Sequence, residues 1–153
     1  MSKKLLVIGT MAYDAIETPY QKVDRILGGA ATYIALASSK FSARCGLVSV
    51  IGDDFAPSDM EKLTSLGVNA DGVERVEGGK TFFWSGRYHD DMNTRTTLDT
   101  QLNVLESFSP QIPEEFKDSE VVVIGNLHPG VQKMALDQLT NPDNFTLLDS
   151  MNF

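Results

Sequence analysis

A single cysteine, Cys45, leaves no partner for an intrachain disulfide, and its place inside an apolar run marks a buried thiol rather than a reactive one. Only two histidines occur, His89 and His128. Neither has a second Cys or His at metal-ligand spacing, which removes the usual transition-metal arrangements. No apolar run approaches the roughly 18–20 residues that span a bilayer, and Met1-Ser2-Lys3-Lys4 leads into a short apolar strand, not a signal h-region. A cytosolic chain with no membrane partner is expected. There is no G-x-x-x-x-G-K-[ST] phosphate loop, and Gly9-Thr10-Met11 is not followed by the glycines of a dinucleotide turn. Cations are scarce: 13 Lys and Arg stand against 21 Asp and Glu, a formal charge of −8, with no basic cluster. Nucleic acid is therefore not expected as a partner, because phosphate neutralisation needs grouped cations.

What is present suits one domain, since 153 residues can bury a good core. Lys4 to Gly9 is a short apolar strand of the kind found at the centre of a covered parallel sheet, and Ala43 to Ile51 reads as a second, closed by the turn Gly52-Asp53-Asp54. Val121 to Gly125 is the clearest buried strand, with β-branched residues ending at a glycine. Phe145 to Leu148 is a last strand running into Asp149 and Asn152. Between them, Ala30 to Phe41 predicts a helix apolar on nearly every side and therefore buried. Ser58 and Glu61 form a capping-box pattern opening a helix that Gly67 ends, and Val131, Met134, Ala135 and Leu139 share helical spacing up to Asn141-Pro142. Strands alternating with helices predict a parallel α/β sheet.

Two stretches depart from that alternation. Pro19 excludes a regular helix through residues 15–27, which read as short, partly exposed strands. Residues 73–101 read as a long hairpin, with the aromatic run Phe82-Phe83-Trp84 on one arm and Asp90 to Asn93 at the turn. These two stretches are expected to form one small β-sheet, a lid, set apart from a core of residues 1–14, 28–72 and 102–153. Taken singly, each of the three aromatics is more often ordinary sheet packing than a ligand contact.

The glycine pair Gly28-Gly29 leaves a strand, turns, and enters a helix, so a ligand can approach the backbone there. Asp14 lies a few residues beyond the carboxyl end of the first strand, where ligands of open α/β sheets sit, and an ionised carboxylate is an acceptor suited to hydroxyl groups. A local turn aspartate explains the same residue equally well. Asp149 is a second carboxylate at a strand end, read most simply as locally hydrogen-bonded.

Gly28-Gly29, small residues, a helix, and a strand ending in Val-Ile-Gly-Asp-Asp-Phe together resemble the N-terminal signature of the ribokinase-like (PfkB-type) carbohydrate kinases. The resemblance runs over essentially the whole chain but only over the first half of such a kinase. It implies a ribokinase-like parallel sheet with flanking helices, incomplete at the C-terminus, plus a small β-sheet lid. It implies an ATP-dependent kinase acting on a sugar or nucleoside hydroxyl, with ATP and Mg2+ held mostly outside this chain. Substrate contacts would fall on Asp14, Gly28, Gly29, Tyr33, Phe83 and Asn126, with Thr81 also on the substrate side and a homodimer formed through the lid. Tyr33 stands where the family pattern has Asn in the helix's first turn. The glycine-rich loop with its catalytic aspartate, G-A-G-D in form, does not occur in these residues, so no catalytic residue is assigned and the isolated chain is expected to be inactive. Two other readings fit the same residues: a non-catalytic small-molecule-binding or dimerisation module of this fold, and an unrelated α/β domain binding a nucleotide at the same strand ends.

Overall fold

Short runs of aliphatic and β-branched residues form the strands of the computed structural model, which describes residues 3–41 and 44–150. The chain runs β1 (Lys4–Ile8), β2 (Ala12–Glu17), β3 (Lys22–Gly28), α1 (Ala30–Ser38), β4 (Arg44–Gly52), α2 (Pro57–Thr64) and β5 (Asn69–Val76). It continues through β6 (Phe82–Tyr88), β7 (Arg95–Gln101), β8 (Val121–Ile124), α3 (Pro129–Leu136) and β9 (Phe145–Leu148). The strand start expected at Ala43 and the position of Asn152 lie outside the described residues.

Five strands in the order β5-β4-β1-β8-β9 form one sheet, every pair parallel. Parallel sheets need cover on both faces, and β1 shows how its sequence meets that need. Alternate residues point to opposite sides. Leu5 and Val7 join a cluster with Ala31, Ala35 and Leu63 from α1 and α2, while Leu6 and Ile8 join Phe108, Phe116 and Ala135 on the other side. Cys45 is buried in the first cluster, and burial pushes its thiol up to about 11, so it stays protonated at neutral pH.

The second sheet has the order β3-β2-β6-β7, with β2 and β6 parallel and the outer pairs antiparallel. It takes in more of the chain at one end, and less at the other, than its sequence pattern suggests. Ala12 to Asp14 belong to this lid sheet, because β2 begins only three residues after β1 ends. Val73 to Val76 instead extend β5 along the edge of the core sheet, where Val73 and Val76 pack on its two clusters. The lid therefore spans 12–28 and 82–101 rather than 15–27 and 73–101.

Two helix expectations change as well. The Ser58-Glu61 capping box does not form: Ala56 is the cap residue, without a side-chain hydrogen bond, and Pro57 occupies the first helical position. The helix after Gly29 is regular only to Ser38, tightens to a 3-10 turn over Ser39–Phe41, and buries one face rather than all of it. Tyr33 is 56% exposed and Phe41 82%. Among the described residues no helix is long and apolar enough to cross a membrane.

Candidate functional site

The two sheets meet where β1 ends. Gly9 to Met11 carry the chain from the core into the lid, and buried Ser49 holds this passage: its hydroxyl donates to Gly9 O at 2.7 Å and accepts the Met11 N–H at 3.1 Å. Thr10, between them, turns towards α1. Its Oγ1 accepts the Ala30 N–H and its carbonyl the Ala31 N–H, both at 3.0 Å. Thr10 thereby caps a helix whose own cap residue, Gly29, has no side chain. Gly29 has φ 93°, and a Cβ there would collide with Thr10 O and lie 2.8 Å from Ala12 N and Met11 Cα. Only glycine fits.

A cavity of about 640 Å³ opens at this junction. Thr10, Asp14, Gly29, Ala30, Tyr33 and Asn126 line its base. Phe82, Trp84 and Tyr88 of β6, with Arg95, Thr97 and Thr100 from β7, line the lid wall. The structure thus gathers four of the six positions expected to meet substrate: Asp14, Gly29, Tyr33 and Asn126. Gly28 lies beneath Asp14 without lining the cavity, and a side chain there would overlap the Asp14 carboxylate. Phe83 faces the other way and packs against the core cluster, because residues of one strand alternate between faces. Its neighbours Phe82 and Trp84 take the cavity side. Thr81 is also not a cavity residue. Its hydroxyl donates to Asp54 Oδ1 at 2.7 Å and accepts the Gly52 N–H at 3.1 Å, which ties the start of β6 to the turn after β4.

Among the described residues, Asp14 is the one acidic side chain in the cavity wall. It sits within β2 rather than in a loop beyond β1, next to a register shift between Asp14 and Ile16 against β3. Burial pushes its carboxyl up to about 6. No hydrogen bond or cation among the described residues offsets that cost. Tyr33 has its hydroxyl donated to Leu27 O at 2.8 Å, so the ring is held in place and its OH is already used. Asn126, at the carboxyl end of β8, receives a bond from the Thr10 hydroxyl on its Oδ1 at 3.4 Å.

Other polar residues at strand ends are accounted for structurally. His128 caps α3, its Nδ1 accepting the Gly130 N–H at 3.1 Å. The Asp149 amide donates to Ile124 O, and its carbonyl accepts from Gln132 Nε2 at 2.8 Å. A second cavity of about 430 Å³ lies at the far end of the lid, where Arg87 pairs with Glu17 at 2.8 Å. Sequence reasoning missed Thr10, Trp84 and the β7 residues of the first cavity. The spacing of Phe82, Trp84 and Tyr88 puts these rings on one face of a strand, but does not say which face meets the cavity.

Comparison with known proteins agrees with this architecture. The structure superposes on a ribokinase from Cryptococcus neoformans with TM-score 0.78, at 18% identity, covering 100% of this chain and 51% of that one. A Methanocaldococcus jannaschii nucleoside kinase of the ribokinase family gives 0.74 at 18% identity, covering 99% and 54%. A Burkholderia thailandensis nucleoside kinase in complex with inosine gives 0.78 at 18%, covering 95% and 52%. These likenesses establish a ribokinase-like fold. In sequence, the chain is 30% identical over 136 residues to a cytidine kinase of Thermococcus kodakarensis, covering 88% of this chain and 48% of that protein. It therefore spans about half the length of the relatives it matches. Residues 2–141 match the pfkB family of carbohydrate kinases, and the chain belongs to that family.

Proposed function

We propose that these 153 residues form the acceptor side of an ATP-dependent kinase that phosphorylates a hydroxyl of a sugar or nucleoside. The observation that carries this reading is Asp14: a half-buried carboxylate, raised to about 6, facing a cavity with no partner of its own among the described residues. Such a group is costly to the fold and is met in functional sites. Hydroxyl donors of an acceptor would satisfy it, since an ionised carboxylate only accepts. The Gly29 backbone allows the acceptor to come close, and Asn126, its Oδ1 taken by Thr10, offers its amide N–H beside them.

When bound, Mg-ATP supplies the phosphoryl group and the metal neutralises developing phosphate charge. The described residues contain no group of three or more His, Cys, Asp or Glu side chains that could hold a metal. On this reading, as in the family the chain resembles, the nucleotide, its Mg2+ and the catalytic base are held by residues other than those described, and the part played by these residues is to bind and orient the acceptor. A homodimer through the lid is supported by β7, an edge strand exposed along its whole length.

The test is acceptor binding by calorimetry with a panel of pentoses, hexoses and nucleosides, together with phosphorylation by a longer reading frame. Asp14→Ala should lower acceptor affinity at least tenfold with an unchanged circular dichroism spectrum. An Asp14→Ala protein that binds and turns over every acceptor as the parent does would overturn the assignment.

A further inference from the structure

The lid wall of the cavity is one face of β6, on which Phe82, Trp84, Gly86 and Tyr88 alternate. Gly86 interrupts the aromatic row, and the packing shows what the interruption permits. A Cβ at Gly86 would lie 2.5 Å from Cζ2 and 2.9 Å from Cζ3 of Trp84. The indole therefore lies down along its own strand, over the one residue that has no side chain to hold it off. Gly86 is buried beneath it, although the next residue, Arg87, is exposed. The indole N–H donates to Thr97 Oγ1 on β7 at 3.3 Å, so the ring's only polar atom is used within the sheet. A flat apolar face is left towards the cavity.

That face stands beside the unpartnered carboxylate. Asp14 and Trp84 are register partners across the parallel β2 and β6 pair, so their backbones are about 5 Å apart. Tyr33 adds a second fixed ring from α1, and Arg95 and Thr100 bring hydrogen-bond donors to the same cavity. A free sugar can satisfy Asp14 but has no planar face for the indole. A nucleoside has both halves in one molecule: a hydroxylated ring, and a planar heterocycle whose edge carries acceptors.

We infer that the acceptor is a nucleoside, its ribose hydroxyls on Asp14 and its base stacked on Trp84, and that Gly86 sets this specificity by letting the indole lie flat. The inference rests on the reading of this cavity as the acceptor site. Stacking of a base on an aromatic side chain should favour nucleoside over ribose by about tenfold or more.

Trp84 is the only tryptophan, so its emission reports directly on its face. The experiment titrates the purified protein with cytidine, inosine and ribose, following tryptophan fluorescence and calorimetry in parallel. Expected are nucleoside affinities at least tenfold above that of ribose, with emission quenched by nucleosides. In Gly86→Val, and separately in Trp84→Leu, which needs no new space, the ratio of nucleoside to ribose affinity should fall towards one. Equal affinities in the parent protein, nucleoside binding without a change in emission, or a preference that survives both substitutions would overturn the inference and leave the acceptor site standing. Binding of no nucleoside and no sugar would overturn both.

Discussion

The Asp14 carboxylate occupies the volume that a side chain at position 28 would need. Gly28 on β3 is thus the seat of the acidic group on β2, and its lack of a Cβ makes room for a side chain rather than for a turn. Gly28→Ala should displace the carboxylate and lower acceptor affinity by about tenfold or more, an effect of small misplacement. Calorimetry checks the affinity, and a thermal melt shows whether the fold is kept. Unchanged affinity in a folded Gly28→Ala protein would show that Asp14 has room to move.

Acceptor binding should depend on pH through Asp14. Its carboxyl titrates at about 6 in the fold, so the ionised form that accepts hydroxyl donors is lost as pH falls through that value. Affinity should therefore drop on going from pH 7.5 to 5, and Asp14→Asn should flatten the profile. Stability runs in the opposite sense. A carboxyl raised above its unfolded value near 4 binds more protons in the native state, so its contribution is full below pH 4 and is lost as pH rises through 6. Urea midpoints measured across pH 4 to 7 should show that slope in the parent and not in Asp14→Asn.

Gly29→Val should fail to fold rather than merely bind poorly. The position combines φ 93° with a Cβ site pressed on the backbone of Thr10, Met11 and Ala12. Strain at positive φ costs a β-branched residue about 1–3 kcal/mol, and the backbone overlap adds to it at the passage between the sheets. Soluble expression and a circular dichroism melt suffice. A protein that melts within a few degrees of the parent would refute the argument.

Tyr13→Phe tests the tie between lid and core. The Tyr13 hydroxyl donates to Asp59 Oδ2 at 2.7 Å and accepts the Ala56 N–H at 2.9 Å, joining β2 to the start of α2. The ring keeps its other contacts, with Arg25 Cζ 3.7 Å above it and the Phe55 ring 5.4 Å away. Losing the hydroxyl leaves a part-buried amide short of its acceptor, so the cost should be about 1–3 kcal/mol in urea unfolding.

The core was legible because its strands are apolar runs and its helices are apolar or periodic segments set between glycine and proline punctuation. Val121–Ile124 and Phe145–Leu148 lie where the residues predict. The lid hairpin was legible too, but not which face of it meets the cavity, because parity along β6 is set by pairing with β2 and not by composition. That is why Phe83 was expected in the pocket and Phe82 and Trp84 hold it. Thr10 carried no local signal at all. Its role depends on α1 returning to the end of β1 from 20 residues further on. The capping box at Ser58 failed because Pro57, preorganised for the first helical position, set the helix start two residues earlier.

Asp54 gives the lid a fulcrum. It accepts the Thr81 amide and hydroxyl at the root of β6 and the Arg25 guanidinium from β3. Burial works against its ionisation, yet these donors hold its carboxyl below the usual carboxylate range, so the anchor is charged at neutral pH. From Phe82 to Tyr88 the strand extends about 20 Å beyond that root at the usual rise. Any tilt about Asp54 is therefore amplified along β6: about ten degrees carries Tyr88 roughly 3 Å on that lever arm, and Phe82 hardly at all. The register pair Asp14 and Trp84 lies near this anchored root, while Tyr88 and Arg95 line the cavity at the far end of the β6 and β7 pair.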